Sequence, residues 1–205
     1  MGISRIAFLF DYRSFREAVN PVTAPLSQGN LSALKSAAAG IAAANPEIWL
    51  RLDRLNYSRD DLGHEETEFD NQGNIVRFWI MIIAANFCTE IDNPVDARTT
   101  RLVMKDSGLD EESTAMLVYG RHFGDLLLPE IRLRSVLDRA EDGYPFWGTG
   151  YGVGWLRLED VSNLREQLAR DKASKSSSSV EYQGLVKMLD LAEQNGRGLL
   201  VGIAV

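Results

Sequence analysis

The hydrophobic pattern begins and ends with short apolar runs that predict strands. Residues 3–10 and 199–205 are apolar and contain β-branched and aromatic side chains, as buried strands do. The start of a buried helix is the alternative for the first run. Asn20-Pro21 and Pro25 predict a break in the chain soon after it. Both ends are therefore expected to contribute strands to one sheet.

Between these runs, apolar residues recur every three or four positions, which predicts amphipathic helices. Proline, glycine or asparagine marks most of the expected ends. The predicted helices cover residues 30–44, 47–55, 75–91, 95–106, 110–128, 129–143, 158–169 and 180–194.

One helix, over residues 30–44, carries a stripe of small side chains. Ala33, Ala37, Gly40 and Ala44 recur at spacings of four, three and four, so they share one face. Small side chains let a neighbouring element approach closely. The stripe is therefore expected to be the packed face of this helix.

Two polar stretches predict exposed loops. Residues 58–74 contain six acidic side chains opposed by one arginine, and residues 172–179 are rich in serine. Neither stretch indicates a domain boundary. The sequence predicts one α+β domain over residues 1–205, mostly helical. Its small sheet is expected to combine the N-terminal, glycine–aromatic and C-terminal segments.

The glycine–aromatic segment, residues 143–155, has five glycines and five aromatic residues. As a strand, it would place aromatic or β-branched groups on one face and glycines on the other. Structural packing is one interpretation, and a recognition surface is the other, because tyrosine and tryptophan are favoured at interfaces. The spacing matches neither the phosphate-loop nor the dinucleotide-binding pattern. The candidate binding residues are Tyr144, Trp147, Tyr151 and Trp155.

The charge balance narrows the classes of partner. Acidic residues outnumber basic ones by 29 to 22, giving a net charge of −7. This argues against nucleic-acid binding and against a polybasic membrane anchor. The longest apolar run, 78–85, has eight residues, against about 20 for a membrane span. A single cysteine excludes an intramolecular disulfide and suits a reducing cytoplasm. We therefore expect an intracellular protein.

A search for catalytic chemistry finds no complete motif. His122 and Asp125 would share a face if they lay on one helix, so they are the alternative acid–base pair. His64 lies in the acidic stretch, which lacks known metal-ligand spacings. Cys88, expected in the middle of a helix, lacks a local cation or helix N-terminus to activate it. No metal or cofactor is expected, and a non-enzyme is favoured.

The sequence favours a non-catalytic protein-interaction protein. An acidic chain associates faster with a basic partner, so a sequestering or immunity-type role is the working hypothesis. The alternative is a small-molecule-binding protein or an enzyme with its site near residues 143–155.

Overall fold

The fold is a mostly helical α+β arrangement, which confirms the predicted fold class. The computed structural model describes residues 4–28, 30–55, 57, 59, 72–91, 109–122, 151–170 and 179–204. The chain divides into two compact units. The first comprises 1–10, 89–122 and 149–205, and the second comprises 11–88 and 123–148. The single-domain boundary at 1–205 stays a prediction.

The strands form one sheet, with the C-terminal strand in its middle. Within the described ranges they are β1 (Ser4–Phe10), β2 (Cys88–Glu90), β3 (Arg121–His122), β4 (Tyr151–Leu156) and β5 (Gly198–Ala204). Their order is β2-β1-β5-β4-β3. The β5 strand is antiparallel to both β1 and β4, and β3 is antiparallel to β4. The N-terminal, glycine–aromatic and C-terminal segments are therefore neighbours, as predicted.

The described helices match most of the predicted periodic segments. They are α1 (Tyr12–Ser27), α2 (Ser32–Ala44), α3 (Ile48–Arg54), α4 (Gln72–Asn86), α5 (Glu111–Tyr119), α6 (Leu158–Arg170) and α7 (Val180–Gln194). The predictions for 47–55, 158–169 and 180–194 agree with α3, α6 and α7 to within a residue at each end. The helices predicted at 95–106 and 129–143 lie outside the described residues, as does most of the two predicted loops.

The core of the first unit lies between one face of the sheet and the helices α5, α6 and α7. Tyr182 in α7 donates a hydrogen bond of 2.6 Å to the Leu168 carbonyl in α6. At the start of α7, the Ser179 hydroxyl caps the helix by accepting from the Tyr182 amide. The sheet and helix residues of this core include Ala7, Leu9, Leu156, Leu199, Val201, Val161, Leu164, Leu168, Leu185, Leu189 and Ala192.

The opposite face of the sheet is buried as well. Phe8 and Phe10 on β1, Trp155 on β4 and Leu200 on β5 are all fully buried. A strand that is buried on both faces needs apolar side chains at consecutive positions rather than at alternate ones. This double burial explains the unbroken apolar runs at residues 6–10 and 199–201.

Helix α1 overturns the predicted chain break at Pro21 and Pro25, because both prolines lie inside it. Asp11 caps the helix, and its Oδ1 accepts from the Ser14 amide at 3.0 Å. A proline removes one helical hydrogen bond, but four apolar side chains recur here at helical spacing and are buried. Their packing outweighs the local preference of proline. These residues are Phe15, Val19, Val22 and Leu26.

Helix α2 packs against α4, but not through the predicted stripe. The buried residues of α2 are Leu34, Ala38 and Ala42. Gly40 is exposed, and a Cβ built there would have nothing within 4 Å. In a helix so rich in alanine, several faces look alike, and burial of the larger Leu34 removes more apolar surface from water. The prediction of the packed face was wrong.

Gly120 and Asn86 end two helices earlier than predicted. Gly120 has a φ of 72°, a conformation that suits glycine, and a Cβ there would lie 2.6 Å from the Trp155 amide nitrogen. Helix α5 therefore stops before β3 and does not reach residue 128. Helix α4 ends at Asn86, so Cys88 lies in β2 and not in a helix.

Gly198→Ala should destabilise the protein by about 2 kcal/mol, because an added methyl group would overpack a close backbone contact. A Cβ on Gly198 would collide with the carbonyl oxygen of Leu156 in β4, and neither backbone can move without disturbing the β4–β5 pairing. Urea denaturation measures the change.

Gly40→Ala is the matched control for this substitution. It adds the same methyl group where a Cβ meets open space. In a helix interior, alanine is favoured over glycine by about 1 kcal/mol, so this variant should be more stable than the wild type. Equal stability of the two variants would contradict the close approach at Gly198.

Candidate functional site

The junction between β4 and α6 assembles a charged cluster around Asp160. Arg121 on β3 makes a bidentate contact with it, with Nε 2.7 Å from Oδ2 and Nη2 2.6 Å from Oδ1. The backbone amide of Arg157 also donates to Oδ2, at 2.9 Å. Asp160 lies in the first turn of α6, where a negative charge interacts favourably with the helix dipole. The cluster therefore ties β3 to the start of α6.

Burial and ion pairing shift the pKa of Asp160 in opposite directions. Its side chain is 10% exposed and that of Arg121 is 34% exposed. Burial alone would raise the pKa of Asp160. The hydrogen bonds and charges of Arg121 and Arg157 outweigh burial, and they lower this pKa below its ordinary value of 3.8. Asp160 is thus ionised at neutral pH and already paired, which suits a structural role rather than that of a general base.

Trp155, a predicted binding residue, is fully buried. The guanidinium of Arg157 lies over its ring, 5.4 Å from the centroid, and this contact lets the arginine cover the indole. Trp155 therefore presents no surface to a partner. Its burial supports the packing interpretation at this position.

Two of the other predicted site residues lie on strands, and three lie outside the described residues, so their roles stay predictions. Tyr144, Trp147 and Asp125 lie outside the described residues. Tyr151 begins β4 and pairs with Ala204. His122 lies in β3, opposite Gly154. The proposed acid–base pair of His122 and Asp125 required both on one helix, and the end of α5 before Gly120 removes that premise.

Cys88 is buried in β2, as a structural thiol is. Its Sγ lies 3.4 Å from the Ala84 carbonyl oxygen, to which it donates. Burial raises the pKa of the Cys88 thiol strongly, and the smaller effect of Arg51 lowers it. The thiol is therefore neutral at physiological pH and is not an activated nucleophile. Among the described residues, no three His, Cys, Asp or Glu side chains are grouped to hold a metal ion, and His64 lies outside them.

A groove along α7 is a candidate site that the sequence did not predict. Its volume is about 380 Å³. The inner face of α7 is fixed in the core by residues such as Leu185 and Leu189, which leaves an adjacent strip of the helix facing the groove. The groove is lined by Tyr182, Gln183, Val186, Lys187, Asp190, Leu191 and Gln194.

Ion pairs between α6 and α7 hold the acidic side chains of α7 in place. Arg165 on α6 hydrogen-bonds to Asp190, and its Nη1 lies 3.0 Å from Oε2 of Glu193. The hydroxyl of Ser162 donates to Oε1 of Glu193 at 2.7 Å. Lys187 is exposed on the same strip. The groove thus combines a partly buried apolar pair, Val186 and Leu191, with charges of both signs.

The described residues that line the groove supply amide, charged, aromatic and aliphatic groups to a ligand. They include no serine, threonine, cysteine or histidine. No helix among the described residues is both long and apolar enough to cross a membrane. Comparisons with protein-family models, curated proteins and solved structures find no match for this chain. The groove geometry is therefore the basis for a functional proposal.

Proposed function

We propose that this protein is a non-catalytic protein-interaction protein and that the α7 groove receives a segment of a partner protein. The observation that carries this proposal is the groove itself, in which amide and charged side chains lie between two partly buried apolar residues, Val186 and Leu191. Protein interfaces commonly combine apolar contacts with hydrogen bonds and charged groups.

The shape of the groove supports a protein segment over a compact ligand. The strip from Gln183 to Gln194 runs along eleven helical steps, about 17 Å at 1.5 Å per residue. Its members recur at helical spacing, so they offer a row of contacts to a second helix or an extended chain. Recognition of a helix in a groove uses contacts at this spacing, and the row on α7 offers mainly amide and charged groups for them.

The charge of the whole chain supports a basic partner, whereas the charges of the groove are mixed. A net charge of −7 accelerates association with a basic protein, and sequestration of such a partner, as in an immunity-type role, belongs to this proposal. In the groove, Lys187 and Asp190 have opposite signs. A cytoplasmic location is also part of the proposal, because one buried, neutral thiol suits a reducing compartment.

Gln183→Trp should lower recovery of the bound partner at least tenfold, by filling the groove from an exposed position. A tenfold loss corresponds to about 1.4 kcal/mol of binding free energy. Tagged protein is used to capture partners from native lysate, and any partner identified is then purified and titrated against each variant.

Asn163→Trp is the matched control, because it adds the same bulk at an exposed position on α6. Recovery and affinity should equal those of the wild type. Equal loss in both variants, or no loss in either, would count against the groove as the binding surface.

Small-molecule binding is the alternative that the groove volume favours, because about 380 Å³ lies within the range of about 300–1,000 Å³ that is common for ligand sites. The same two variants separate the two proposals. A small molecule that raises the Tm of Asn163→Trp but not of Gln183→Trp would support the alternative.

A further inference from the structure

We draw no further inference here: the strongest candidate, the surface patch on α3 in which Leu50 is 72% exposed and the guanidinium of Arg59 lies 5.3 Å from the centroid of the Trp49 ring, is bordered by exposed charges of both signs, and nothing in the structure shows what covers it.

Discussion

Trp155→Ala should lower the free energy of unfolding by about 3–5 kcal/mol, the range for removing a large buried aromatic side chain. The side chain is fully buried on β4, so its loss leaves a cavity that the paired strands cannot easily close. The substitution also removes the ring that Arg157 covers at 5.4 Å. Urea denaturation followed by far-UV circular dichroism measures the change.

Leu50→Ala is the control for the Trp155 prediction. Leu50 is 72% exposed on α3, so its truncation should change stability by less than about 0.5 kcal/mol. A Trp155→Ala variant as stable as Leu50→Ala would contradict the packing role and return Trp155 to the set of candidate recognition residues.

Asp160→Asn should destabilise the protein by about 3 kcal/mol at pH 7. Breaking a buried ion pair commonly costs about 3–5 kcal/mol, because the remaining charge has lost its partner. The 34% exposure of the Arg121 side chain lets water solvate that charge, which places the expected loss at the lower end. Asp53→Asn, at an exposed position on α3, should change stability by less than about 0.5 kcal/mol.

The difference in stability between the wild type and Asp160→Asn should decrease only at low pH. The folded-state pKa of Asp160 is lowered below 3.8, so ionisation of this group favours the folded state. Its contribution is fully present above the ordinary pKa and is lost as the pH falls through the folded-state value. The stability difference should therefore be constant from about pH 8 to about pH 5 and shrink at lower pH. A difference that shrinks between pH 5 and pH 8 would contradict the prediction.

Hydrophobic periodicity correctly predicted the helices in which the apolar residues at helical spacing are also the buried ones. In α6, the expected inward residues Val161, Leu164 and Leu168 are all buried. The end of α7 was equally predictable, because Asn195 caps it and Gly196 follows with a φ of 60°. In these segments, turn chemistry and apolar spacing indicate the same boundaries, so no distant contact is needed to choose between alternatives.

Local rules failed where distant packing decides the conformation. The prolines of α1 predicted a break, but burial of residues such as Phe15 and Val19 keeps the segment helical. Composition suggested a small-residue stripe on α2, although Leu34 determines which face packs. The early end of α5 depends on a close approach between Gly120 and β4, which no local pattern contains.

The cluster around Asp160 and the groove along α7 could not be predicted from the sequence, for related reasons. Arg121 and Asp160 are 39 residues apart and meet only because β3 pairs with β4. The groove lies on α7. The leucines of α7 indicated which side of the helix faces the core, whereas the other residues that line the groove resemble ordinary surface residues. Sequence periodicity distinguishes inside from outside, but it does not distinguish a recessed strip from an open surface.

The central position of β5 has a consequence for how the sheet assembles. Ser4 of β1 pairs with Ala204 of β5, and β5 also separates β1 from β4. Contacts between residues so distant in sequence slow folding, because the intervening chain must be ordered before they form. During synthesis, β1 is made long before the strand that pairs with it, so it presents an unpaired edge until β5 arrives. Unpaired edges promote aggregation, and a chain truncated before β5 would leave β1 and β4 in that state permanently.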